Sequence, residues 1–574
     1  MPKSLQLFLM LLVSIFSCQK PITDDLNTQW TDNQADARGL ISDSAMVVSA
    51  HPFASEVGLN ILKKGGNAVD ASIAVQFALA VVYPTAGNIG GGGFMVLRKE
   101  DGSAYTLDFR EAAPAAAHRD MYLDEEGNVI QSKSTLGHWA VGVPGTVAGA
   151  LAAHEKFGTL PWEDLVQPAI DLAINGFLLT EKEAEGLNYN QERFLKYSTI
   201  APDFLIKNEW KAGDTIYWKD LGKTLERIRD NKRDGFYTGQ TADYIVEEMQ
   251  RAGGLISHED LKNYQAVWRD PIQFEYKNFK LVSMPPPSSG GIALAQLLKM
   301  VEKHDLTNHG WNKQQTIHIM TEAERRVYAD RAQHLGDPDH YEVPRDGLLQ
   351  GDYIVARMEN YDPTKATPSE EIQAGQPLIA ESEETTHFSV IDQYGNAVSV
   401  TTTLNGGYGS KTVVAGAGFI LNNEMDDFSS KPGFPNFYGL VGGEANAIAP
   451  GKRMLSSMTP TIVEKDGELF MVVGTPGGST IITSVFQSFL NVVEHNMTMQ
   501  EAVAAGRVHH QWLPDLIYHE PNAINTLTMD SLKTLGHTLK ERSLYGRVDA
   551  ILVLPNGQLE GGADPRGDDK AMGY

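Results

Sequence analysis

The chain has 574 residues, and its 42% hydrophobic and 21% charged composition, with no low-complexity tract, is that of a folded protein with a large core. A formal charge of −25 and a pI near 5.0 argue against nucleic acid as a partner, because phosphate binding needs a basic surface. The single cysteine, Cys18, excludes an intrachain disulfide and a cysteine-based metal site, and no cofactor or metal is expected.

Met1-Pro2-Lys3 is a short basic start, followed by an apolar run from Leu5 to Phe16 broken by Gln6 and Ser14. That run is too short to span a bilayer as a mature helix and fits the core of a secretory signal. Its end, Ile15-Phe16-Ser17-Cys18, resembles a bacterial lipoprotein signal, so residues 1–18 are expected to direct export, with Cys18 as the lipidation site. The protein is then periplasmic or held at a bacterial membrane by that lipid alone. The polar stretch from Gln19 reads as a tether reaching residue 44.

From Met46 a short strand to Ser49 precedes a helix opened by His51-Pro52, carried by Ala54 to Lys64 and ended by Gly65-Gly66. A second apolar helix, Ala68 to Val82, stops at Pro84. The glycine-rich run Gly87-Asn88-Ile89-Gly90-Gly91-Gly92-Gly93 lacks the Lys-Ser/Thr of a phosphate loop and leads into a strand, Phe94 to Arg98. Close backbone packing is therefore the expected reason for those glycines. Residues 150–380 read as mostly helical, with amphipathic stretches at Leu221 to Arg229 and Gln314 to Asp330 and a loop at Pro285 to Gly291. Beyond Thr385 the pattern changes to strands. Thr386 to Ile391 and Ala397 to Leu404 flank the turn-rich Asp392-Gln393-Tyr394-Gly395-Asn396.

Thr385 carries the first chemical possibility. If the bond before it is cut, its own α-amino group, titrating near ~8, becomes the base that activates its hydroxyl. Taken alone, Thr-Thr-His-Phe-Ser-Val is equally an ordinary β-branched strand. If Ile391 pairs with Ala397, Thr385 faces Thr403 across the hairpin, with same-face neighbours ~5 Å apart. A slip of one residue would substitute Thr402 or Leu404. The apolar run ending at Val472-Val473-Gly474-Thr475-Pro476-Gly477-Gly478 precedes a helical pattern at Ile481 to Val492, and paired glycine amides at a helix start suit an oxyanion. Asp108-Phe109-Arg110-Glu111 offers a guanidinium for a carboxylate. Asn422 to Phe428 offers carboxylates for an ammonium, and Leu455-Ser456-Ser457-Met458 offers two hydroxyls. Together they would suit a free α-amino-acid head group, and each alone also reads as a solvated loop. The Gly-x-Ser-x-Gly elbow and His-Glu-x-x-His are missing.

The run Glu384-Thr385-Thr386-His387-Phe388-Ser389-Val390-Ile391-Asp392 closely resembles the maturation site of the γ-glutamyltranspeptidases, which are N-terminal-nucleophile hydrolases. Gly65 to Ala71, Asp108 to Glu111, Gly142-Val143-Pro144-Gly145, Asn422 to Phe428, Leu455 to Met458, Pro476 to Ser479 and Ala563-Asp564-Pro565-Arg566 match the same family in order. The resemblance implies an α/β fold, a four-layer α/β/β/α sandwich whose single core is shared by a large subunit (45–384) and a small one (385–574) that form a heterodimer. It implies cleavage between Glu384 and Thr385, with Thr385 as nucleophile, Thr403 as its hydrogen-bond partner, and Gly477 and Gly478 as the oxyanion hole. Arg110, Ser456 and Ser457 would hold the substrate α-carboxylate; Asn405, Glu424 and Asp427 the α-amino group. Tyr438 would belong to a lid loop, Lys431 to Gly439. The activity implied is γ-glutamyl transfer from glutathione and related compounds to water, amino acids or peptides. Two other readings are a glutaryl-type acylase of the same superfamily and a surface lipoprotein that binds amino acids or peptides without turnover.

Overall fold

Two seven-stranded antiparallel sheets organise the molecule, which is represented by a computed structural model describing residues 38–374, 386–431, 434 and 444–574. In chain order the strands are β1 (Leu40–Ser42), β2 (Met46–Ser49), β3 (Gly92–Arg98), β4 (Ala104–Asp108), β5 (Val267–Arg269), β6 (Ile272–Tyr276) and β7 (Phe279–Ser283). They continue with β8 (Thr386–Ile391), β9 (Ala397–Thr403), β10 (Thr461–Lys465), β11 (Glu468–Gly474), β12 (Asp549–Val553), β13 (Leu559–Gly562) and β14 (Lys570–Gly573). The first sheet runs β14-β2-β8-β9-β3-β4-β5 and the second β1-β13-β12-β11-β10-β7-β6.

The helices that matter here are α1 (Pro52–Lys63), α2 (Ala68–Val82), α3 (Gly290–Val301), α4 (Gln314–His334) and α5 (Ser479–Val493). The first two begin where the sequence gives them reason to. His51 caps α1 with a proline in its first turn, and Asn67 and Asp70 form a reciprocal capping box on α2. Helix α2 is apolar on every face and buried throughout, as a helix sandwiched between a sheet and other helices must be.

Alternation along the strands separates the layers. Phe388 and Val390 of β8 and Val398 and Val400 of β9 join Ile73 and Phe77 of α2 in one core. Met46, Val48, Phe94, Ile462, Val472 and Ile551 fill the space between the sheets. A third core joins Val463 and Met471 of the second sheet to Leu294, Ile319 and Phe486 of α3, α4 and α5. The order of layers is therefore helix, sheet, sheet, helix, as expected. Residues Arg38–Tyr574 form one compact unit. Its first strand pairs Leu40 with Gly561 and Ser42 with Leu559, so folded structure begins ahead of residue 45.

The glycine run does what close packing demands. A Cβ on Gly91 would lie 2.0 Å from the Thr403 carbonyl oxygen, and one on Gly90 2.1 Å from that of Ile420. Gly91→Ala is expected to push β9 out of place at Thr403 and to cost about 1–3 kcal/mol, read as a lowered denaturation midpoint. The expectation of a mostly helical 150–380 missed β5, β6 and β7. In Ile272-Gln273-Phe274-Glu275-Tyr276 the end residues are buried and Gln273 and Glu275 exposed, a period of two that the surrounding helical patterns overshadow. Among the described residues no helix is long and apolar enough to cross a membrane.

Candidate active site

The β8–β9 hairpin sets the register on which the site depends. Ile391 lies opposite Ala397 and Thr386 opposite Thr402, which is the register on which the facing of Thr385 and Thr403 is conditional, and not the one slipped by a residue. Even-numbered residues of β8 and β9 face α2, so the odd-numbered ones face the second sheet. There Ser389 Oγ donates to the Asp549 carbonyl at 2.9 Å and Ser399 Oγ to that of Val473 at 3.2 Å. Thr403 shares this parity, is buried, and accepts the Asn405 amide at 2.7 Å through Oγ1. Asn405 has a φ of 68°, a left-handed conformation that asparagine tolerates, and its Nδ2 donates to the Asn423 carbonyl at 2.9 Å. Glu384, Thr385 and Tyr438, and Cys18 at the other end of the chain, lie outside the described residues.

His387, quoted in the motif but given no role, is buried between the sheets. Its ring nitrogens engage Thr401 Oγ1 at 2.9 Å and Ser389 Oγ at 3.0 Å, and burial pushes its pKa down to about 3. It is neutral at any physiological pH and packs so closely on β11 that a Cβ on Gly474 would lie 2.4 Å from the ring.

Strand β11 runs on into the glycine turn. Gly477 and Gly478 have φ values of 129° and 57°, both disfavoured for side-chain-bearing residues. Helical hydrogen bonding starts only at Thr480, whose amide donates to the Gly477 carbonyl at 3.1 Å, and Ile481, which donates to Gly478 at 2.9 Å. The amides of Gly477 and Gly478 thus stand ahead of the ladder, at the positive end of the 15-residue α5. Thr475 braces the turn by accepting the Arg547 amide at 2.9 Å.

On the other side lies a buried charge cluster. Arg110 follows β4 and pairs through Nη1 with Glu424 and through Nη2 with Asp427. It also donates to the Met454 and Leu455 carbonyls, each at 3.3 Å, and lies 3.6 Å from Glu111. All four side chains are at most 3% exposed, so removing one partner would leave another charge buried and uncompensated. Burial lowers the Arg110 pKa, but the charges of Glu424 and Asp427 overcome it and hold the guanidinium above its usual range. Burial pushes Glu111 up to about 8 and Glu424 well up, with Arg110 opposing both. Glu424 Oε2 has no hydrogen-bond partner among the described residues.

The two serines complete the cluster. Ser456 Oγ accepts the Met458 amide at 3.2 Å, and Ser457 Oγ accepts Nη2 of Arg331 at 3.0 Å. Hydrogen bonds, ion pairs and chain adjacency link five of the predicted residues: Thr403 to Asn405, Asn405 to Asn423 next to Glu424, and Glu424 and Asp427 to Arg110, which also reaches the Leu455 carbonyl before the two serines. Far from it, His318, Glu322 and His537 have ligand atoms within 4.8 Å of one another. Glu322 there is already paired with both Arg325 and Arg326, and two adjacent guanidiniums oppose a further cation.

The Gamma-glutamyltranspeptidase family profile matches residues 54–574. The chain belongs to that family. The glutathione hydrolase proenzyme of Escherichia coli K12 is 47% identical over 532 residues, covering 92% of each chain. A cephalosporin acylase from Bacillus halodurans superposes with a TM-score of 0.84 at 25% identity, over 93% of this chain and 97% of that one. A Helicobacter pylori γ-glutamyltranspeptidase chain superposes with a TM-score of 0.56 at 44% identity, covering 58% of this chain and 96% of its own length. Membership explains the order of the motifs along the chain, and the hydrogen bonds and ion pairs bring Thr403, Asn405, Glu424, Asp427 and Arg110 together. Sequence reasoning missed Glu111 and Arg331. The first stood in plain view beside Arg110, whereas the second lies on α4, which is expected to be amphipathic but is buried on every face from Thr316 to Arg331, so that its charged residues are inside as well.

Proposed function

We propose that the protein is a γ-glutamyltransferase and glutathione hydrolase that severs its own chain between Glu384 and Thr385 and then uses Thr385 as its nucleophile. The observation that carries this reading is buried Arg110 held between Glu424 and Asp427, with its Nη2 on the carbonyl of Leu455, which directly precedes Ser456 and Ser457. An α-amino-acid head group has the complementary charges. Its carboxylate takes the Arg110 fork with Ser456 and Ser457, and its ammonium takes Glu424 and Asp427, with Asn405 alongside.

In the precursor the Thr385 hydroxyl attacks the Glu384 carbonyl, the C–N bond breaks to free the Thr385 α-amino group and leave an ester, and water cleaves that ester to give the Glu384 carboxylate and the Thr385 hydroxyl. In the mature enzyme that amine accepts the hydroxyl proton as Thr385 Oγ attacks the γ-carbonyl of glutathione or a related amide. The oxyanion is met by the Gly477 and Gly478 amides, an arrangement in which one donor is worth roughly 3 kcal/mol of barrier. The amine then protonates the departing nitrogen, leaving a γ-glutamyl ester. Water converts it to glutamate, and an amino acid or peptide amine converts it to a new γ-glutamyl amide. The products of self-cleavage, a large subunit ending at Glu384 and a small one of residues 385–574, stay together through their shared core. The reading also places the enzyme outside the cytoplasm, with Cys18 as its lipid anchor.

Thr403→Val keeps the shape of the side chain but leaves the Asn405 amide without its acceptor. It is expected to slow both maturation and turnover about tenfold or more, measured as the rate of band splitting and as kcat. The likeness to the Bacillus halodurans acylase favours a second reading, glutaryl-amide cleavage, but a glutaryl group has no ammonium for Glu424 and Asp427 to hold. N-terminal sequencing of the small subunit with parallel assays on γ-glutamyl and glutaryl amides tests both readings. An uncut chain, or activity on the glutaryl amide alone, would overturn the proposal.

A further inference from the structure

Arg331 of α4 is buried, with 2% of its surface exposed, and reaches the serine side of the site. Its Nη2 donates to Ser457 Oγ at 3.0 Å and its Nε to Ser289 Oγ at 3.1 Å. Ser289 Oγ donates in turn to the Ser456 carbonyl at 2.9 Å. A guanidinium has donors and no acceptor, so at Ser457 the hydroxyl oxygen is the accepting partner and its hydrogen must point elsewhere. Ser456 Oγ is fixed in the same sense, because it accepts the Met458 amide at 3.2 Å. Both hydroxyls are thereby set as donors, the polarity an incoming carboxylate requires. One turn earlier on the same helix, Tyr328 donates to the Ser479 carbonyl, next to Gly478.

We propose that Arg331 is a positioning residue of the carboxylate subsite: it orients the Ser457 hydroxyl as a donor and brings a second positive charge behind it. This rests on the placement of the substrate α-carboxylate at Arg110, Ser456 and Ser457. A guanidinium serving only to staple α4 to the Ser289 and Ser457 segments would affect every substrate alike, whereas one acting through Ser457 affects only substrates that carry the carboxylate.

The test compares a γ-glutamyl anilide with the 4-aminobutyryl anilide, which is the same molecule without its α-carboxylate. Arg331→Gln is expected to raise KM for the γ-glutamyl anilide about tenfold with kcat little changed, and to leave kcat/KM for the 4-aminobutyryl anilide as in the parent. Ser457→Ala should behave alike, and the double variant should be no worse than Ser457→Ala. Equal losses on both anilides, or additive losses in the double variant, overturn the proposal. Should Arg331→Gln not mature, Arg331→Lys keeps the charge without the fork and is expected to show an intermediate KM shift confined to the γ-glutamyl anilide. A lysine variant with parental KM on both substrates overturns it as well. A responsive Ser457→Ala beside a silent Arg331→Gln refutes the role of Arg331 alone, whereas an unresponsive Ser457→Ala removes the carboxylate placement too.

Discussion

Thr385→Ala is expected to give a single uncut chain without detectable γ-glutamyl turnover. The alternative source of a base in the hairpin is His387, and the structure disqualifies it. Burial pushes its pKa down to about 3, and both ring nitrogens are already engaged by Thr401 and Ser389. A base that weak cannot deprotonate a threonine hydroxyl effectively at neutral pH. The α-amino group released by cleavage, with an ordinary pKa near ~8, has the strength needed. Activity should then rise with pH as that amine loses its proton, because only the neutral amine can accept the hydroxyl hydrogen. A denaturing gel checks the first half of the prediction and a pH profile of kcat/KM on the parent the second. Two bands from Thr385→Ala, or a profile flat from pH 6 to 9, would show that cleavage or turnover uses another group. Thr385→Ser is the informative companion. It keeps hydroxyl and amine, so it should still cut itself and turn over, more slowly for want of the methyl group that restricts the rotamer.

How much of this was legible beforehand differs from residue to residue. The β8–β9 hairpin could be read because Asp392 to Asn396 has turn chemistry, but its register stayed open to a slip of one residue; the structure places Ile391 opposite Ala397, and that one pair fixes all the others. The same local logic located α1, α2 and the glycine turn before α5. Strands β6 and β7 escaped although they form a local hairpin with Tyr276 opposite Phe279, because they are short and the group β5 to β7 stands between helical patterns; the other partners of β5 and β7 lie far away in sequence, β7 pairing with β10 nearly two hundred residues on. The charge cluster was legible as residue types but not as a set of bonds. Nothing local in Asp-Phe-Arg-Glu says that Arg110 meets Glu424 and Asp427 more than three hundred residues later, and the family resemblance supplied that link. Arg331 was invisible to both, since its importance lies in which oxygen it donates to.

Arg110 should prove the most sensitive position outside the nucleophile, and two substitutions separate its two duties. Arg110→Lys keeps a positive charge but loses the planar fork and the bonds to the Met454 and Leu455 carbonyls. It is expected to raise KM for a γ-glutamyl amide by about tenfold to a hundredfold, at roughly 1.5–3 kcal/mol for a charged hydrogen bond, and to leave the fold intact. Arg110→Met removes the charge and leaves Glu111, Glu424 and Asp427 together in a space that admits almost no water. Breaking a buried ion pair from one side costs roughly 3–5 kcal/mol, so this variant should be substantially destabilised as well as inactive. The loss should also depend on pH in a determined direction. Burial already pushes Glu111 up to about 8 and Glu424 well up, with Arg110 as the opposing influence. Without the arginine their folded-state pKa values rise further, so above the ordinary carboxyl range the folded chain holds protons that the unfolded chain has released. Stability must then fall as pH rises. Relative to the parent at each pH, the denaturation midpoint of Arg110→Met should accordingly fall further at about pH 9.5 than at about pH 7, because the two folded forms differ in bound protons only once the parent's Glu111, pushed up to about 8, has ionised. A midpoint loss of equal size at both would mean that these carboxylates do not depend on Arg110 for their charge, and the proposed complement to an amino-acid head group would lose its electrostatic basis.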